Sequence, residues 1–358
     1  MPFSDSDERQ ARLRANSQNH PAFLIMQNLP FSRRRFVGLG LSAAAIAAAA
    51  PLGAVAQENW PSRPITLVVP FPPGGSVDIM ARQYSEPLSR ILGVPVVVDN
   101  RPGAGGSVAT QVVARSKPDG YTLVVSSQSS HLANPLTQPR IGYDPIKDFE
   151  NIAILGRQPN ALVVHSSLPV RTFAEFIAYS KKNPGKLDYG SGGVGSMGQL
   201  NVEMFKASTG AVATHIPYRG GSQLITAVLS NEVQFILDNL VIMLPHVKDG
   251  KVRALAVASE QRLEQLPDVP TLAELGYPEL NLSSWTGIAA PAGTPQPVVQ
   301  KIYQAVRKAA SDPAMQAALR SRGVVPPEDM APAAFERMMA DRLQRYGEVV
   351  KRAKISAE

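Results

Sequence analysis

Residues 65–92 read ITLVVPFPPGGSVDIMARQYSEPLSRIL, an apolar run joined to a helical pattern by a turn rich in proline and glycine. The apolar run is short and rich in β-branched residues, which predicts a buried strand. From Val77 onward the apolar side chains recur at helical spacing, which predicts a helix. Strands at 94–99 and 121–126 and a helix at 107–115 are predicted on the same grounds. Such alternation predicts an α/β fold with a parallel sheet and helices on both faces.

The alternation of predicted strands and helices starts again after Pro159, and once more after a proline-rich connector at 266–271. Thr172 and Glu175 have the spacing of a capping box, which predicts a helix that begins there. Thr294 is a predicted N-cap, because a proline suited to a first helical turn follows it. The further predicted strands lie at 161–165, 187–190, 214–217, 233–238, 252–257 and 286–290, and the further predicted helices at 196–208, 222–229, 241–248, 313–321 and 332–351.

We interpret this order as two α/β lobes, with the C-terminal block returning to the first lobe. The first lobe is predicted to comprise residues 57–158 and 280–358, and the second lobe residues 159–279. A chain that crosses between two lobes more than once can form a hinge at the crossings.

The N-terminal region has the pattern of a secretory signal. Residues 32–37 read SRRRFV, residues 38–50 are mildly apolar and rich in alanine, and Ala54 and Ala56 suit a peptidase that cuts before Gln57. Paired arginines before a phenylalanine are typical of the twin-arginine type. A transmembrane anchor is the alternative, but the apolar run is too short to cross roughly 30 Å of hydrocarbon.

We therefore expect residues 1–56 to be an N-terminal extension plus a twin-arginine signal peptide that is cleaved after Ala56. The mature protein is then expected in the periplasm. Residues 1–25 have charged side chains and no useful periodicity, whereas Met26 opens a signal of ordinary length. We expect translation to start at Met26.

Composition excludes several classes of protein. The chain has no cysteine, which excludes disulfides, thiolate catalysis and metal sites with sulfur ligands. Residues 1–56 hold six arginines and three acids, so they account for +3 of the formal net charge of +7. The remaining charge gives no reason to expect binding to nucleic acid. No two of the five histidines have helical i, i+4 spacing and no H-E-x-x-H motif is present, which favours surface or structural histidines over metal ligands. We predict neither a metal nor a cofactor.

Two glycine-rich segments follow predicted strands, at 70–78 and 189–198. The second matches the G-x-G-x-x-G pattern of dinucleotide-binding proteins, but the acid expected about twenty residues later is missing. Ser196 does not fit a nucleophile elbow, because valine stands at 194 where that motif needs glycine. Backbone N–H groups in such loops bind anions such as carboxylates. The alternative is that these glycines only form tight turns.

A set of short motifs covers nearly the whole chain after residue 57. They are WPSRPITLVVPF at 60–71, PGGSVD at 73–78, VVDNRPGAGG at 97–106, KPDGYTL at 117–123, YDPIKDF at 143–149, PYRG at 217–220, DN at 238–239, LPDVPT at 266–271 and APAGTP at 290–295. In this order they resemble the Bug-type receptors, which are the extracytoplasmic substrate-binding proteins of tripartite tricarboxylate transporters.

The resemblance implies a two-lobe, type II periplasmic-binding-protein fold that closes on a small carboxylate in the cleft between the lobes. It implies a receptor without enzymatic activity, whose partners are the ligand and the membrane subunits of the transporter. The resemblance also implies that the ligand is held largely by backbone amides, hydroxyls and bridging waters, and not by arginine salt bridges. The site residues implied are Phe71, Gly74, Gly75, Ser76, Asp78, Ser126, Ser127, Gln128, Asn160, Ser191, Gly192, Gly193, Gly195, Ser196, Tyr218, Arg219, Asp238 and Asn239.

The chain departs from the family pattern at two places near the expected site. Gln199 stands where many relatives have histidine, and Ser127 and Gln128 replace smaller residues. These departures leave the identity of the carboxylate open: a dicarboxylate, an amino acid or an aromatic acid. We expect a monomer that binds no nucleic acid.

Two other functions stay open at this point. One is an exported enzyme, hydrolytic or cofactor-dependent, since twin-arginine export serves many cofactor-loaded proteins. The other is a ligand-sensing partner of a membrane kinase, which the same fold can serve without transport.

Asp238 is predicted to determine which other polar group the ligand has beside its carboxylate. It ends a predicted strand, where side chains reach the ligand site in such sheets. A carboxylate in a site built for anions repels a second ligand carboxylate and favours an ammonium or hydroxyl group. The alternative is that Asp238 caps the helix predicted to begin near Val241, because Asp is a favoured N-cap.

Overall fold

The computed structural model describes residues 60–281, 283–327, 331–353 and 355. The predicted signal peptide and the predicted start at Met26 lie outside these residues. The strands are β1 (Ile65–Val69), β2 (Val96–Asn100), β3 (Thr122–Ser127), β4 (Phe149–Gln158), β5 (Asn160–His165), β6 (Asp188–Ser191), β7 (Thr214–Pro217), β8 (Phe235–Asn239), β9 (Val252–Ala258) and β10 (Ser284–Pro291).

The helices agree with the predicted ones to within about one residue at most ends. They are α1 (Ser76–Leu92), α2 (Ser107–Ala114), α3 (Asn134–Thr137), α4 (Phe173–Lys182), α5 (Met197–Thr209), α6 (Gly221–Leu229), α7 (Leu240–Lys248), α8 (Gln296–Ala310), α9 (Pro313–Ser321) and α10 (Pro332–Ala353). None of the helices within the described ranges is both long and apolar enough to span a membrane.

Two five-stranded sheets form the two lobes of the fold, in the orders β2-β1-β3-β10-β4 and β7-β6-β8-β5-β9. β1 runs parallel to β2 and β3, as predicted, but β10 runs antiparallel to β3 and β4. A wholly parallel sheet was therefore the wrong prediction. The reason is the crossing between the lobes. β10 begins beside Gln158, where β4 ends, and a strand that starts at that edge must run opposite to the strands that end there.

β10 belongs to the first sheet, between β3 and β4. The long helix α10, which was predicted to belong to the first lobe, also packs against the second. Phe335 and Met339 pack against Trp285 of β10, whereas Tyr346 and Val350 pack in the core of the second sheet. One helix thus packs against both lobes.

Two predicted helix starts have different outcomes. The capping box is confirmed: the hydroxyl of Thr172 accepts from the N–H of Glu175 (3.2 Å), and the carboxylate of Glu175 accepts from the N–H of Thr172 (3.2 Å). Thr294 is not an N-cap, because its hydroxyl donates to the carbonyl of Pro291 (2.7 Å) and α8 begins one residue later, after Pro295.

The sequence pattern did not predict two of the observed segments, β4 and the helical segment at 129–137. β4 has only a short apolar run within FENIAILGRQ, and its pairing with β10 completes the strand. The helical segment at 129–137 reads SSHLANPLT, which is short and contains a proline, and tertiary contacts hold it. For example, the hydroxyl of Tyr143 donates to the carbonyl of Ser130.

Candidate functional site

A cavity of about 60 Å³ lies between the ends of the strands of the two sheets. We call it the inner cavity. Ligand pockets for drug-sized molecules are several times larger, so this one suits a small molecule or one end of a longer one. Its walls are Phe71, Gly75, Ser76, Val77, Ser127, Gln128, Ser129, Gln158, Gly192, Ser196, Met197, Gly198, Gly220, Gly221, Asp238, Asn239, Ile242, Ser284 and Trp285.

A second space of about 860 Å³, which we call the outer groove, adjoins the inner cavity. Phe71, Gly192 and Gly220 line both spaces. The groove is otherwise formed by the loops that precede α2 and α6, by the turn after α3 and by the glycine-rich loop after β6.

Helix N-termini supply the positive potential of the inner cavity. α1, α6 and α7 begin at its wall after Gly75, Gly220 and Asn239, and no side chain caps any of the three. The first N–H groups of a helix lack partners within the helix and favour an anion. Among the described residues that line the cavity, none is Lys, Arg or His. Backbone dipoles, not basic side chains, therefore prepare this site for an anion.

Asp238 is the one ionisable side chain among the described residues that line the inner cavity. Its Oδ1 accepts from the N–H of Asn239 (2.7 Å). Burial raises the pKa of Asp238 to about 6, although that hydrogen bond acts in the opposite direction. The N-cap of α7 is Asn239, so the alternative role of Asp238 as the N-cap is wrong. Asp238 is thus a residue of the inner-cavity wall.

The two lobes touch across the cavity, so the cleft is closed. The side-chain amide of Asn239 donates to the hydroxyl of Ser76 (3.1 Å), and the N–H of Met197 donates to the hydroxyl of Ser129 (3.3 Å). Gly75 and Gly221 also face each other: a Cβ on Gly221 would lie 3.3 Å from the Cα of Gly75.

The structure brings half of the predicted site residues together around the inner cavity: Phe71, Gly75, Ser76, Ser127, Gln128, Gly192, Ser196, Asp238 and Asn239. Gly193, Tyr218 and Arg219 line the outer groove instead. Gly74, Asp78, Ser126, Asn160, Ser191 and Gly195 line neither space. For these last six, contact with a ligand stays a prediction without geometric support.

The side chain of Asp78 hydrogen-bonds to the loop before α1 and to its neighbours. Its carboxylate accepts from the N–H of Gly74 (2.9 Å), from Asn100 (2.9 Å) and from Arg82 (3.0 Å). Burial alone would raise the pKa of Asp78, but these hydrogen bonds outweigh it and hold the pKa below its ordinary value. Asn100 also donates to the carbonyl of Phe71 (3.1 Å). The role of Asp78 is therefore to hold the loop that carries Phe71 and Gly75.

The loop after β6 uses its N–H groups internally. The N–H of Gly193 donates to the hydroxyl of Ser191 (3.2 Å), and the N–H of Gly195 donates to Oε1 of Gln199 (2.7 Å). These two groups, predicted to meet the ligand, are thus already bonded. Gln199 closes the loop and does not line the cavity.

Ser191 also forms a pair that resembles a nucleophile and its base. Its hydroxyl lies 2.6 Å from Nε2 of His215, whose ring stacks on Tyr189. Ser191 is fully buried, and no carboxylate among the described residues hydrogen-bonds to His215. Because a nucleophile must reach its substrate, this pair is structural.

Sequence reasoning missed several lining residues, of which Gln158 and Trp285 matter most. Nε2 of Gln158 and Nε1 of Trp285 are buried, and neither has a hydrogen-bond partner within the described part of the chain. Both are donors beside a cavity suited to an anion. Gln158 ends the strand that the sequence pattern did not predict, and Trp285 is the second residue of β10. Only their pairing brings them to the site.

Behind the turn that carries Ser127, Gln128 and Ser129, His131 is fully buried against Phe149, with ring centroids 4.8 Å apart. Its Nδ1 lies 3.0 Å from the hydroxyl of Ser130. Burial lowers the pKa of His131 to about 3, so the ring is neutral at physiological pH. Within the described ranges, no three His, Cys, Asp or Glu side chains are grouped to hold a metal ion.

Acidification is expected to destabilise the fold through His131. In the unfolded chain this histidine becomes protonated as the pH falls below about 6.5. In the folded protein His131 stays neutral until the pH falls to about 3. The free energy of unfolding therefore falls with pH in that window, by at most about 1.4 kcal/mol per pH unit for this group. Urea unfolding between pH 6 and pH 4 should give a steeper loss for the wild type than for His131→Gln. Parallel curves would contradict the prediction.

A family model described as the tripartite tricarboxylate transporter family receptor, TctC, matches residues 80–355. The chain belongs to this family. The expected resemblance to Bug-type receptors is thus confirmed, and the family is one of substrate-binding receptors.

Solved structures of such receptors are similar to the chain over their whole length. The periplasmic binding protein BugD has 32% identity and a TM-score of 0.79, with 83% of this chain and 99% of BugD covered. The R. palustris protein Rpa4515 with adipate has 36% identity and a TM-score of 0.80, covering 83% and 99%. MatC from Rhodopseudomonas palustris with bound malate has 32% identity and a TM-score of 0.77, covering 81% and 100%. The two-lobe α/β fold is that of the TctC-type periplasmic binding proteins.

Proposed function

We propose that this TctC-family protein is a periplasmic receptor that binds a small carboxylate and delivers it to a tripartite tricarboxylate transporter. The observation that carries the proposal is the convergence of three uncapped helix N-termini on a cavity whose described lining residues include no basic side chain. Such a site attracts an anion. It also releases the anion more readily than a salt bridge would, because no buried cation is left unpaired.

Two similar structures contain dicarboxylates, adipate in Rpa4515 and malate in MatC, which supports a carboxylate as the ligand. Delivery to membrane subunits is proposed from the family description. Periplasmic location is proposed from the family and from the predicted twin-arginine signal, with cleavage after Ala56. We also propose the division into lobes 57–158 plus 280–358 and 159–279, since the strands of the two sheets come from within these ranges.

We propose no enzymatic activity. The Ser–His pair at Ser191 is buried away from the cavity, and Asp238 stands without a second acid or a histidine among the described residues that line it. The binding residues proposed are those shared by the prediction and the inner cavity, with Gln158 and Trp285 added as donors.

Carboxylates are expected to raise the melting temperature of the mature chain, residues 57–358. A ligand that binds only the folded state stabilises it by about 2.7 kcal/mol at a concentration of one hundred times its Kd. The measurement is a thermal-shift screen against monocarboxylates, dicarboxylates, hydroxy acids and amino acids, followed by calorimetry. The corresponding amides and alcohols serve as controls. If no acid raises the melting temperature beyond its amide, the proposed function is wrong.

A further inference from the structure

The inner cavity and the outer groove share three lining residues, Phe71, Gly192 and Gly220, and we call the boundary that they form the neck. The two lobes approach closely beside the neck: a Cβ on Gly220 would lie 2.9 Å from Cδ of Pro72. A molecule longer than the inner cavity would have to pass this neck into a groove more than ten times larger.

The two spaces have opposite charges on their walls. The inner cavity contains Asp238 and no basic side chain among the described residues. The outer groove contains Arg140, after α3 on the first lobe, and Arg219, before α6 on the second, and no acid among the described residues. Both arginines are exposed, and neither guanidinium has an ion pair or hydrogen bond to a described residue. By contrast, Arg82 and Arg101 are paired with acids.

We propose that the outer groove is a second anion subsite, and that the ligand is an elongated diacid. One carboxylate is bound in the inner cavity, and the distal anionic group lies in the groove between Arg140 and Arg219. This inference rests on the proposed function, since it assumes that the inner cavity binds the first carboxylate.

The separation of charge explains why the ligand must be elongated. A second carboxylate inside the small inner cavity would lie beside Asp238, and like charges in a buried site repel strongly. In the groove the same group meets two cations, one from each lobe. Guanidinium groups bind carboxylates with two parallel hydrogen bonds. Because the arginines come from opposite lobes, a distal anion between them would also favour the closed cleft.

The test is calorimetry with α,ω-dicarboxylates of increasing chain length and with the monocarboxylates of equal length. Above a threshold length the diacid should bind at least tenfold more tightly than its monoacid. The double variant Arg140→Gln, Arg219→Gln should abolish most of that advantage, since each exposed ion pair accounts for about a two- to fivefold change. Higher salt should weaken the long diacids more than the short acids.

The matched control is Arg171→Gln with Arg322→Gln, which removes the same charge from exposed arginines that line neither space. This control should leave the advantage of the diacid intact. Gly192→Val tests the neck separately, because its backbone is unstrained and a Cβ there has only the Cα of Gly220 at 3.8 Å. Because Gly192 also lines the inner cavity, this variant should weaken short acids as well, but long diacids by more.

Two outcomes overturn the inference. If monoacids and diacids of equal length bind equally, or if the arginine variant weakens both equally, the groove is no anion subsite, while the proposed function stands because acids still bind. If no acid binds at all, the proposed function fails and this inference fails with it.

Discussion

Gly221→Val is expected to lower the affinity for any acid that the inner cavity binds by about a hundredfold or more, with the fold retained. A hundredfold change corresponds to about 2.8 kcal/mol. Gly221 opens α6 and faces Gly75 across the cleft, where a Cβ would lie 3.3 Å from the Cα of Gly75 and 3.6 Å from Cδ1 of Ile242. A valine adds two further carbons, and neither glycine backbone can move easily, because Gly75 is the N-cap of α1 and Gly221 is the first residue of α6.

The lobes can relieve this clash only by opening. Opening breaks the hydrogen bonds from Asn239 to Ser76 and from Met197 to Ser129, and it removes helix N-termini from one side of the ligand. The affinity is then reduced by the fraction of molecules that still close. Calorimetry gives the affinity, and far-UV circular dichroism with a thermal melt checks the fold.

Two controls bracket this result. Gly75→Ala should change affinity little, because its Cβ would lie at ordinary distances of 3.6 Å from the carbonyl of Pro72 and 3.9 Å from the nitrogen of Gly221. Thr226→Val adds a branched apolar residue to the exposed face of the same helix and should have no effect on binding. Unchanged affinity in Gly221→Val would mean that closure at this point does not control binding.

The glycines at this contact illustrate how far the sequence can lead. The strand, the turn at 70–78 and the helix that follows were predictable, since periodicity and local turn chemistry specify them. On these grounds the loop at 70–78 could be assigned to the site, and the resemblance to the Bug-type receptors implied Phe71, Gly75 and Ser76 within it. The direction of the Asp78 side chain could not be predicted in the same way. Its carboxylate accepts hydrogen bonds from Arg82 and Asn100, and Asn100 is on another strand.

The donors Gln158 and Trp285 could not be predicted as site residues from the sequence, for a related reason. They become neighbours only when β4 and β10 pair, and the antiparallel direction of β10 follows from the crossing between lobes. In the same way, the N–H groups of Gly193 and Gly195 looked available in the sequence, but the structure bonds them to Ser191 and Gln199. Local pattern predicts elements well, whereas the partners of polar groups depend on tertiary contacts.

Asp238→Asn is expected to reverse the preference between two kinds of acid. Acids with an ammonium or hydroxyl group beside the carboxylate should lose about ten- to a hundredfold in affinity, because hydrogen bonds to a charged group contribute about 1.5–3 kcal/mol. Plain acids of the same length should bind equally or more tightly, since the variant removes a negative charge from the wall of the inner cavity. Calorimetry at pH 7.5 with matched pairs of acids measures both effects.

The same substitution should remove a pH dependence. Burial raises the pKa of Asp238 to about 6, so its carboxyl group is largely protonated at pH 5 and ionised at pH 7.5. In the wild type, plain acids should therefore bind more tightly as the pH falls through 6, when Asp238 becomes neutral and can donate a hydrogen bond. Acids with an ammonium group should bind more weakly over the same range. Asp238→Asn should flatten both profiles.

Asp249→Asn is the matched control, because Asp249 is an exposed acid of the same lobe that pairs with Lys251 and lines neither space. It should leave both affinities and both pH profiles unchanged. A structural role for Asp238 would give a different result: Asp238→Asn would weaken both kinds of acid equally and lower the melting temperature. That pattern would mean that the carboxylate holds the N–H of Asn239, and with it the start of α7, without contacting the ligand. A reversal of preference at unchanged melting temperature can arise only if the ligand lies against Asp238 itself.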